Sequence, residues 1–324
     1  FKTGTVSMKS AFNKKASAKK SAGILGLAFA IALAPLPFNT DTAHARGCNP
    51  QRASIVIDAK TGKTLSAYKA DELRYPASMT KIMTLMMVFD ELTKGTMSLD
   101  DDIVMSKHAA SMVPVKLGLK AGQKIKLKDA IAIVAVKSSN DLAVALAEAV
   151  GGTEEEFARL MTEKAKAIGM NKTVFVNASG LPDNRQVTTA RDMATLSRHL
   201  IQNYQKHYHY FSKKSYRYKG RYFSTTNRLM HSYRGMDGIK TGYICASGFN
   251  LAASAKRGED RIIGVTFGHP SSRSRNAHMR RILDKGFVTL RKQKKQQKSS
   301  APSAISVSYT APLNMGRPPS FSRT

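Results

Sequence analysis

Ser78-Met-Thr-Lys81 opens a helical stretch, Ala77 to Leu92, whose apolar residues Ile82, Leu85, Met86 and Phe89 recur at i, i+3, i+4, i+7. Residues three apart on a helix share a face, so this spacing lets the Ser78 hydroxyl meet the Lys81 amine. A serine attacks a carbonyl well only when a base removes its proton. A lysine made neutral by burial and neighbouring cations can be that base. The first turn of a helix also offers free N–H groups to a developing oxyanion. Alone, the tetrad is equally an N-cap serine followed by a solvated lysine.

Two further polar motifs follow in order. Ser138-Ser-Asn140 interrupts an apolar segment running from Lys128 to Val150, which reads as one long buried helix. Polar side chains there need partners, which a cleft would supply. Lys240-Thr-Gly242 heads a strand, where Lys240 and Thr241 can grip an anion and Gly242 lets a substrate backbone lie close.

Around these motifs the chain alternates texture. Ser54 to Asp58 and Thr64 to Tyr68, joined through Thr61-Gly62-Lys63, read as a β-hairpin. Helices are expected over Glu154–Ile168, stopped by Gly169, and over Thr189–Gln202. Tyr216 to Lys219, Gly248 to Ser254 and Arg261 to Gly268 read as strands, and Arg273 to Val288 as a closing helix. The expected architecture is α/β (α+β), with a catalytic domain over 46–290. Its sheet lobe would comprise 46–76 and 205–290, and its inserted helical lobe 77–204. From 291 the chain is Lys/Gln and then Ser/Ala/Pro without periodicity, which predicts a disordered basic tail over 291–324.

The start reads as an address. Lys9, Lys14, Lys15, Lys19 and Lys20 precede an uncharged run from Ala22 to Leu36, and Ala43-His-Ala45 follows. Basic, apolar and small-residue regions in that order predict a signal peptide over 1–45, cleaved after Ala45. A membrane anchor is the alternative, disfavoured because Pro35 and Pro37 break the helix early. The expected localisation is the periplasm, peripheral to the inner membrane.

Of 324 residues, 42% are hydrophobic, enough for a globular core. Two cysteines exclude a disulfide scaffold, and nothing has zinc-ligand spacing, so no metal or cofactor is expected. Cys48 and Cys245 can pair or remain apart. The net charge of +30 would suggest nucleic acid in a cytosolic protein. An exported chain meets anionic lipids and envelope polymers instead, and electrostatic contact of the basic tail with these is expected, with no nucleic-acid partner. The Tyr204–Tyr222 run, mixed with Lys and Arg, could bind polysaccharide, although strand packing accounts for it more simply. His207-Tyr-His209 lacks a third ligand.

Taken in order, the three motifs resemble those of the penicillin-recognising serine acyltransferases. Tyr75 to Thr84, Lys137 to Glu148, Asp237 to Tyr243 with Ala246 to Leu251, Phe175 to Leu181 and Thr188 to Met193 are similar to the serine-type D-alanyl-D-alanine carboxypeptidases, the low-molecular-mass penicillin-binding proteins. The resemblance spans roughly Ile55 to Phe287. It implies the β-lactamase/transpeptidase-like fold, an antiparallel five-stranded sheet flanked by helices. It also implies peptidoglycan pentapeptides as substrate and β-lactams as inhibitors. Ser78 would be the nucleophile, Lys81 the general base and Ser138 a proton shuttle. Asn140 would hold the substrate amide and Lys240 complete the cationic network. Thr241 and Arg275 would take the terminal carboxylate, with Arg273 the alternative to Arg275. The backbone N–H groups of Ser78 and Tyr243 would form the oxyanion hole beside Gly242. Ser139 stands where relatives often carry Gly. A class A β-lactamase is the nearest competitor, but Asn177 to Asp183 offers no glutamate for deacylation. A DD-endopeptidase would need the same groups, and a non-catalytic envelope-binding protein would have no use for all of them.

Overall fold

The computed structural model describes residues 50–300, the side chains of Lys298 and Ser300 excepted. The signal peptide expected over 1–45 and the tail beyond 300 lie outside the described residues.

Strands β1 (Ala53–Asp58) and β2 (Thr64–Tyr68) form the expected hairpin, its turn braced by Asp58, whose carboxylate accepts from Thr61 Oγ1 at 2.6 Å. A 3-10 turn over Ala77–Thr80 leads into helix α1 (Lys81–Lys94), ended by Gly95 in the left-handed conformation. Strand β3 (Asp102–Val104), the short helix α2 (Lys107–Ser111) and strand β4 (Lys124–Lys126) follow, β3 and β4 pairing antiparallel.

The apolar segment expected as one helix is two. Helix α3 (Leu127–Lys137) ends at Ser138, and α4 (Asn140–Gly151) starts after Ser139. Ser138 sits at φ 70°, and Ser139 is extended, so the axis breaks where polar side chains must leave the apolar stripe. Continuous hydrophobicity concealed the break, because both helices are buried nearly all round.

Helices α5 (Glu154–Ala167) and α6 (Ala190–Asn203) are capped by Thr153 and Thr189, each side chain accepting an N–H three residues on. A short α7 (Gln205–Tyr208) precedes the hairpin of β5 (Ser215–Tyr218) and β6 (Arg221–Ser224). That hairpin packs on α3 and not on the main sheet, so this part of 205–290 belongs beside the helices. Tyr204, Tyr208 and Tyr210 are buried, and His207 stacks on Phe89 at 4.8 Å, which accounts for most of the aromatic run as packing.

Strands β7 (Met236–Ile244), β8 (Gly248–Arg257) and β9 (Asp260–His269) complete a five-stranded antiparallel sheet of order β2-β1-β9-β8-β7. Alternate residues of its central strands serve two cores. Ile55, Ile57, Ile263 and Val265 face the helical side, while Val56, Leu251, Ala253 and Ile262 meet Met279, Leu283 and Phe287 of helix α8 (Ser272–Ser300). Helix α8 runs past the expected boundary at 290. Arg, Lys and Gln are good helix formers, no Gly or Pro follows Gly286 before 300, and Lys294 pairs with Asp260. Apolar periodicity fades there while helical propensity does not.

Candidate active site

The turn that carries Ser78 is pinned from both sides. A Cβ on Gly242 of β7 would lie 2.9 Å from the Pro76 carbonyl oxygen and 3.2 Å from the Met79 nitrogen. The edge strand therefore touches the turn backbone directly, and only glycine permits this. Ala77 is held at φ 48°, a left-handed conformation unusual for alanine, placing local strain next to the candidate nucleophile. Thr84 fastens α1 to the loop beneath through Oγ1 to the Ala178 carbonyl at 2.7 Å.

Lys81 is fully buried on the first turn of α1. Its Nζ lies 3.2 Å from Ser78 Oγ, 2.7 Å from Asn140 Oδ1 and 2.5 Å from the Ser179 carbonyl oxygen. Burial first, and then the positive charge of Lys240, hold its pKa well below the ordinary lysine value, against the opposing pull of Asp141 and Glu154. Asn140 is held in turn by Nδ2 donating to the Pro114 carbonyl at 3.0 Å, so it orients Lys81. Ser138 Oγ is buried with no hydrogen-bond partner among the described residues, a vacant donor and acceptor beside Ser78.

Lys240 is buried on β7, its pKa pushed down to about 7 by burial and then by Arg275. Thr241 Oγ1 is 2.7 Å from Thr226 Oγ1. Arg275, in the first turn of α8, is buried against the same cleft, whereas Arg273 is exposed and outside it. Its Nε and Nη2 donate to Asn276 Oδ1 at 3.1 and 2.8 Å. Tyr243 is exposed at the cleft mouth with its ring against Phe249. Ser78, Ser138, Thr241, Gly242, Tyr243 and Arg275 line one cleft of about 570 Å³, with Lys81, Asn140 and Lys240 buried outside its lining, which includes Lys137 and Arg228 and no Asp or Glu. A serine beside a buried lysine whose pKa is lowered, facing fixed positive charge, suits acyl transfer to the serine from a substrate bearing a carboxylate.

A family profile described as peptidase S11, D-alanyl-D-alanine carboxypeptidase, matches residues 41–271. The chain belongs to this family. The S11 chain is 36% identical over 245 residues to the D-alanyl-D-alanine carboxypeptidase DacF of Bacillus subtilis, covering 73% of this chain and 62% of that one. It thus spans somewhat less than two thirds of that relative. Penicillin-binding protein 5 from Haemophilus influenzae superposes with a TM-score of 0.71 at 31% identity, covering 74% of this S11 chain and 72% of its own. Penicillin-binding protein D2 from Listeria monocytogenes, in its ampicillin-bound form, gives 0.67 at 28% identity over 72% and 96%. The β-lactamase/transpeptidase-like fold read from the motifs is therefore that of this chain.

Several residues of the S11 site escaped the sequence reading. Buried Asp141 accepts from the backbone N–H groups of Leu117, Gly118 and Leu142 and from Ser139 Oγ at 2.6 Å, holding the loop that supplies Pro114 and Val115 to the cleft. Its position directly after Asn140 was the available signal. Glu154 lies close enough to act on Lys81, but one carboxylate oxygen accepts from the Ala178 N–H at 2.9 Å and the other meets His108 Nε2 at 2.7 Å. Thr226 and Arg228 reach the cleft from the segment after β6, and no sequence pattern marks them. Cys245 is engaged in a disulfide, and Cys48, the other cysteine of the sequence, lies outside the described residues.

Proposed function

We propose that this chain is a serine-type D-Ala-D-Ala carboxypeptidase that removes the terminal D-alanine from peptidoglycan stem pentapeptides and is acylated by β-lactams. The observation that carries this reading is the buried Lys81 ammonium site 3.2 Å from Ser78 Oγ, its pKa lowered by burial and by Lys240. Neutral Lys81 accepts the Ser78 proton as Oγ bonds to the carbonyl carbon of the penultimate D-alanine. Charge on the carbonyl oxygen is met by the backbone N–H groups of Ser78 and Tyr243. Ser138, on the cleft lining with Ser78 and with an unpartnered Oγ, relays the proton to the leaving nitrogen as the C–N bond breaks and D-alanine departs. Asn140 holds the substrate amide, and Thr241 and Arg275, supported by Lys240, hold the terminal carboxylate. Water then attacks the ester carbonyl, gives its proton to the Ser78 oxygen through the same relay, and frees the shortened peptide.

Both oxygens of Glu154 are already engaged, which supports slow deacylation of a penicillin ester over β-lactamase turnover. Trimming of this kind belongs to the cell envelope. The signal-like start supports export to the periplasm, and the basic tail supports peripheral attachment to anionic lipid or polymer. Intact-mass spectrometry of the chain with benzylpenicillin, beside Ser78→Ala, tests the reading. One penicillin mass on the wild type alone, with D-alanine released from diacetyl-Lys-D-Ala-D-Ala, is the expected result. Rapid penicillin turnover without an adduct would mean a β-lactamase, and neither adduct nor turnover would mean a binder.

A further inference from the structure

Lys137, the last residue of α3, stands directly before Ser138 and lines the cleft. Its Nζ lies 5.2 Å from the ring centroid of Phe223, and the Arg221 guanidinium lies 5.3 Å from that same centroid. Two like charges thus share one ring, although proximity between them is unfavourable. Phe223 is buried and fixed against α3, so the ring anchors both cations and draws them through its π face. Arg221 gives one N–H to the Leu117 carbonyl at 3.0 Å, and its remaining donors have no protein acceptor. Among the described residues neither cation has a carboxylate within 4.0 Å, although surface lysines and arginines elsewhere commonly do. Between Asp192 and Asp237 no acidic residue occurs in the sequence, so the hairpin that carries Arg221 brings no carboxylate of its own.

The charge balance of the cleft leaves this pair unaccounted for. A substrate ending in one carboxylate is matched by Thr241, Lys240 and Arg275 on the sheet side. Lys137 lines the same cleft from the end of α3 with no such partner, and Arg221, outside the lining, shares its Phe223 ring. We propose that Lys137, assisted by Arg221, forms a second anion subsite that reads a free carboxylate on the acyl-donor part of the substrate, ahead of the D-Ala-D-Ala unit. This rests on the carboxypeptidase reading and narrows its substrate class. Peptides whose diamino acid carries a free side-chain carboxylate are preferred, amidated ones are handled less well, and those with lysine in that place are disfavoured by like charge. An ammonium-carboxylate contact in a partly desolvated cleft supports discrimination on the order of tenfold.

The test uses three tripeptides ending in D-Ala-D-Ala: one with diaminopimelate acetylated on both amines, one with its side-chain carboxamide, and one with Nα-acetyl-lysine, whose free Nε is cationic. D-Alanine release is followed at low and high salt for the wild type, Lys137→Gln and Lys137→Arg. The wild type is expected to favour the acid over the amide about tenfold in kcat/KM, with the preference shrinking as salt rises. Lys137→Gln should bring the ratio close to one, and Lys137→Arg should restore it. Equal kcat/KM for acid and amide in the wild type overturns the subsite while leaving the carboxypeptidase reading intact. A preference that survives Lys137→Gln, in protein with an unchanged melting temperature, overturns the assignment to Lys137. If Lys137→Gln does not fold, the wild-type ratio with its salt dependence and the Lys137→Arg ratio decide the matter. Absence of D-alanine release from all three, by contrast, overturns the underlying reading.

Discussion

Gly180 runs so close beneath Ala77 that a Cβ on it would stand 1.9 Å from the Ala77 carbonyl oxygen. Gly180 itself adopts φ 80°, and its neighbour Ser179 supplies a carbonyl to Lys81. One glycine therefore sets the height of the turn bearing Ser78 and the loop gripping Lys81. Gly180→Ala should separate the two. Left-handed strain of about 1–3 kcal/mol adds to the clash, and displacement of the reacting groups by a fraction of an ångström should slow acylation by benzylpenicillin about 100-fold. Stopped-flow acylation together with a thermal melt checks both effects.

The acylation rate should rise with pH as Lys81 loses its proton, because only the neutral amine accepts one from Ser78. Lys240, charged below about 7, holds the Lys81 pKa down. Lys240→Met removes that positive neighbour, so Lys81 keeps its proton to higher pH. The acidic limb of the kcat/KM profile is therefore expected to move toward higher pH, beyond any uniform loss of rate. A limb that stays in place, or moves to lower pH, would show that Lys240 does not act on the base.

Asp141 accepts four hydrogen bonds inside the protein and has no charged partner at salt-bridge distance among the described residues. Asp141→Asn turns one acceptor into a donor facing other donors. The expected cost is about 2–4 kcal/mol, seen as a fall in melting temperature of roughly 5–15 °C. Because the loop it holds carries Pro114 and Val115, protease sensitivity around Leu117 should rise as well.

Arg275 is presented to the cleft by Asn276, which takes its Nε and Nη2 and leaves Nη1 turned toward the Asn250 carbonyl at 3.5 Å. Arg275→Gln should raise KM for a peptide with a free terminal carboxylate and lower kcat/KM by about 10- to 100-fold. A peptide ending in D-alaninamide should lose far less. Equal losses on the two peptides would assign Arg275 to the fold of the cleft instead of to the carboxylate.

Much of this arrangement was legible because each motif couples local form to chemistry. Ser78 and Lys81 are three apart on one helical turn, and the hairpin, the helix start at Thr189 and the final strands all carry local signals. Apolar periodicity misled at two places for opposite reasons. It ran unbroken across Ser138, where a left-handed residue ends α3, and it faded after Val288, where α8 persists on propensity and an ion pair. Contacts between distant segments were not legible at all. Ser179 reaches Lys81 across 98 residues through a backbone carbonyl, which any residue type supplies.

The strand order carries a consequence for how the chain acquires its structure. β1 pairs with β9, Ser54 opposite Thr266, so this interior strand of the sheet waits for a partner more than 200 residues later. A polypeptide emerging N-terminus first holds β1 and β2 as a two-stranded ribbon, which is marginal alone in water. Its inner strand, buried at every residue in the folded chain, stays uncovered until β9 and α8 arrive. Closing so distant a pairing is slow, and the waiting edge is open to association with other chains. Assembly of the helices can precede sheet closure, but the turn bearing Ser78 is braced by β7 and reaches its working geometry only when the C-terminal strands dock. The turn that carries Ser78 is thereby left without its brace until β7 has been made.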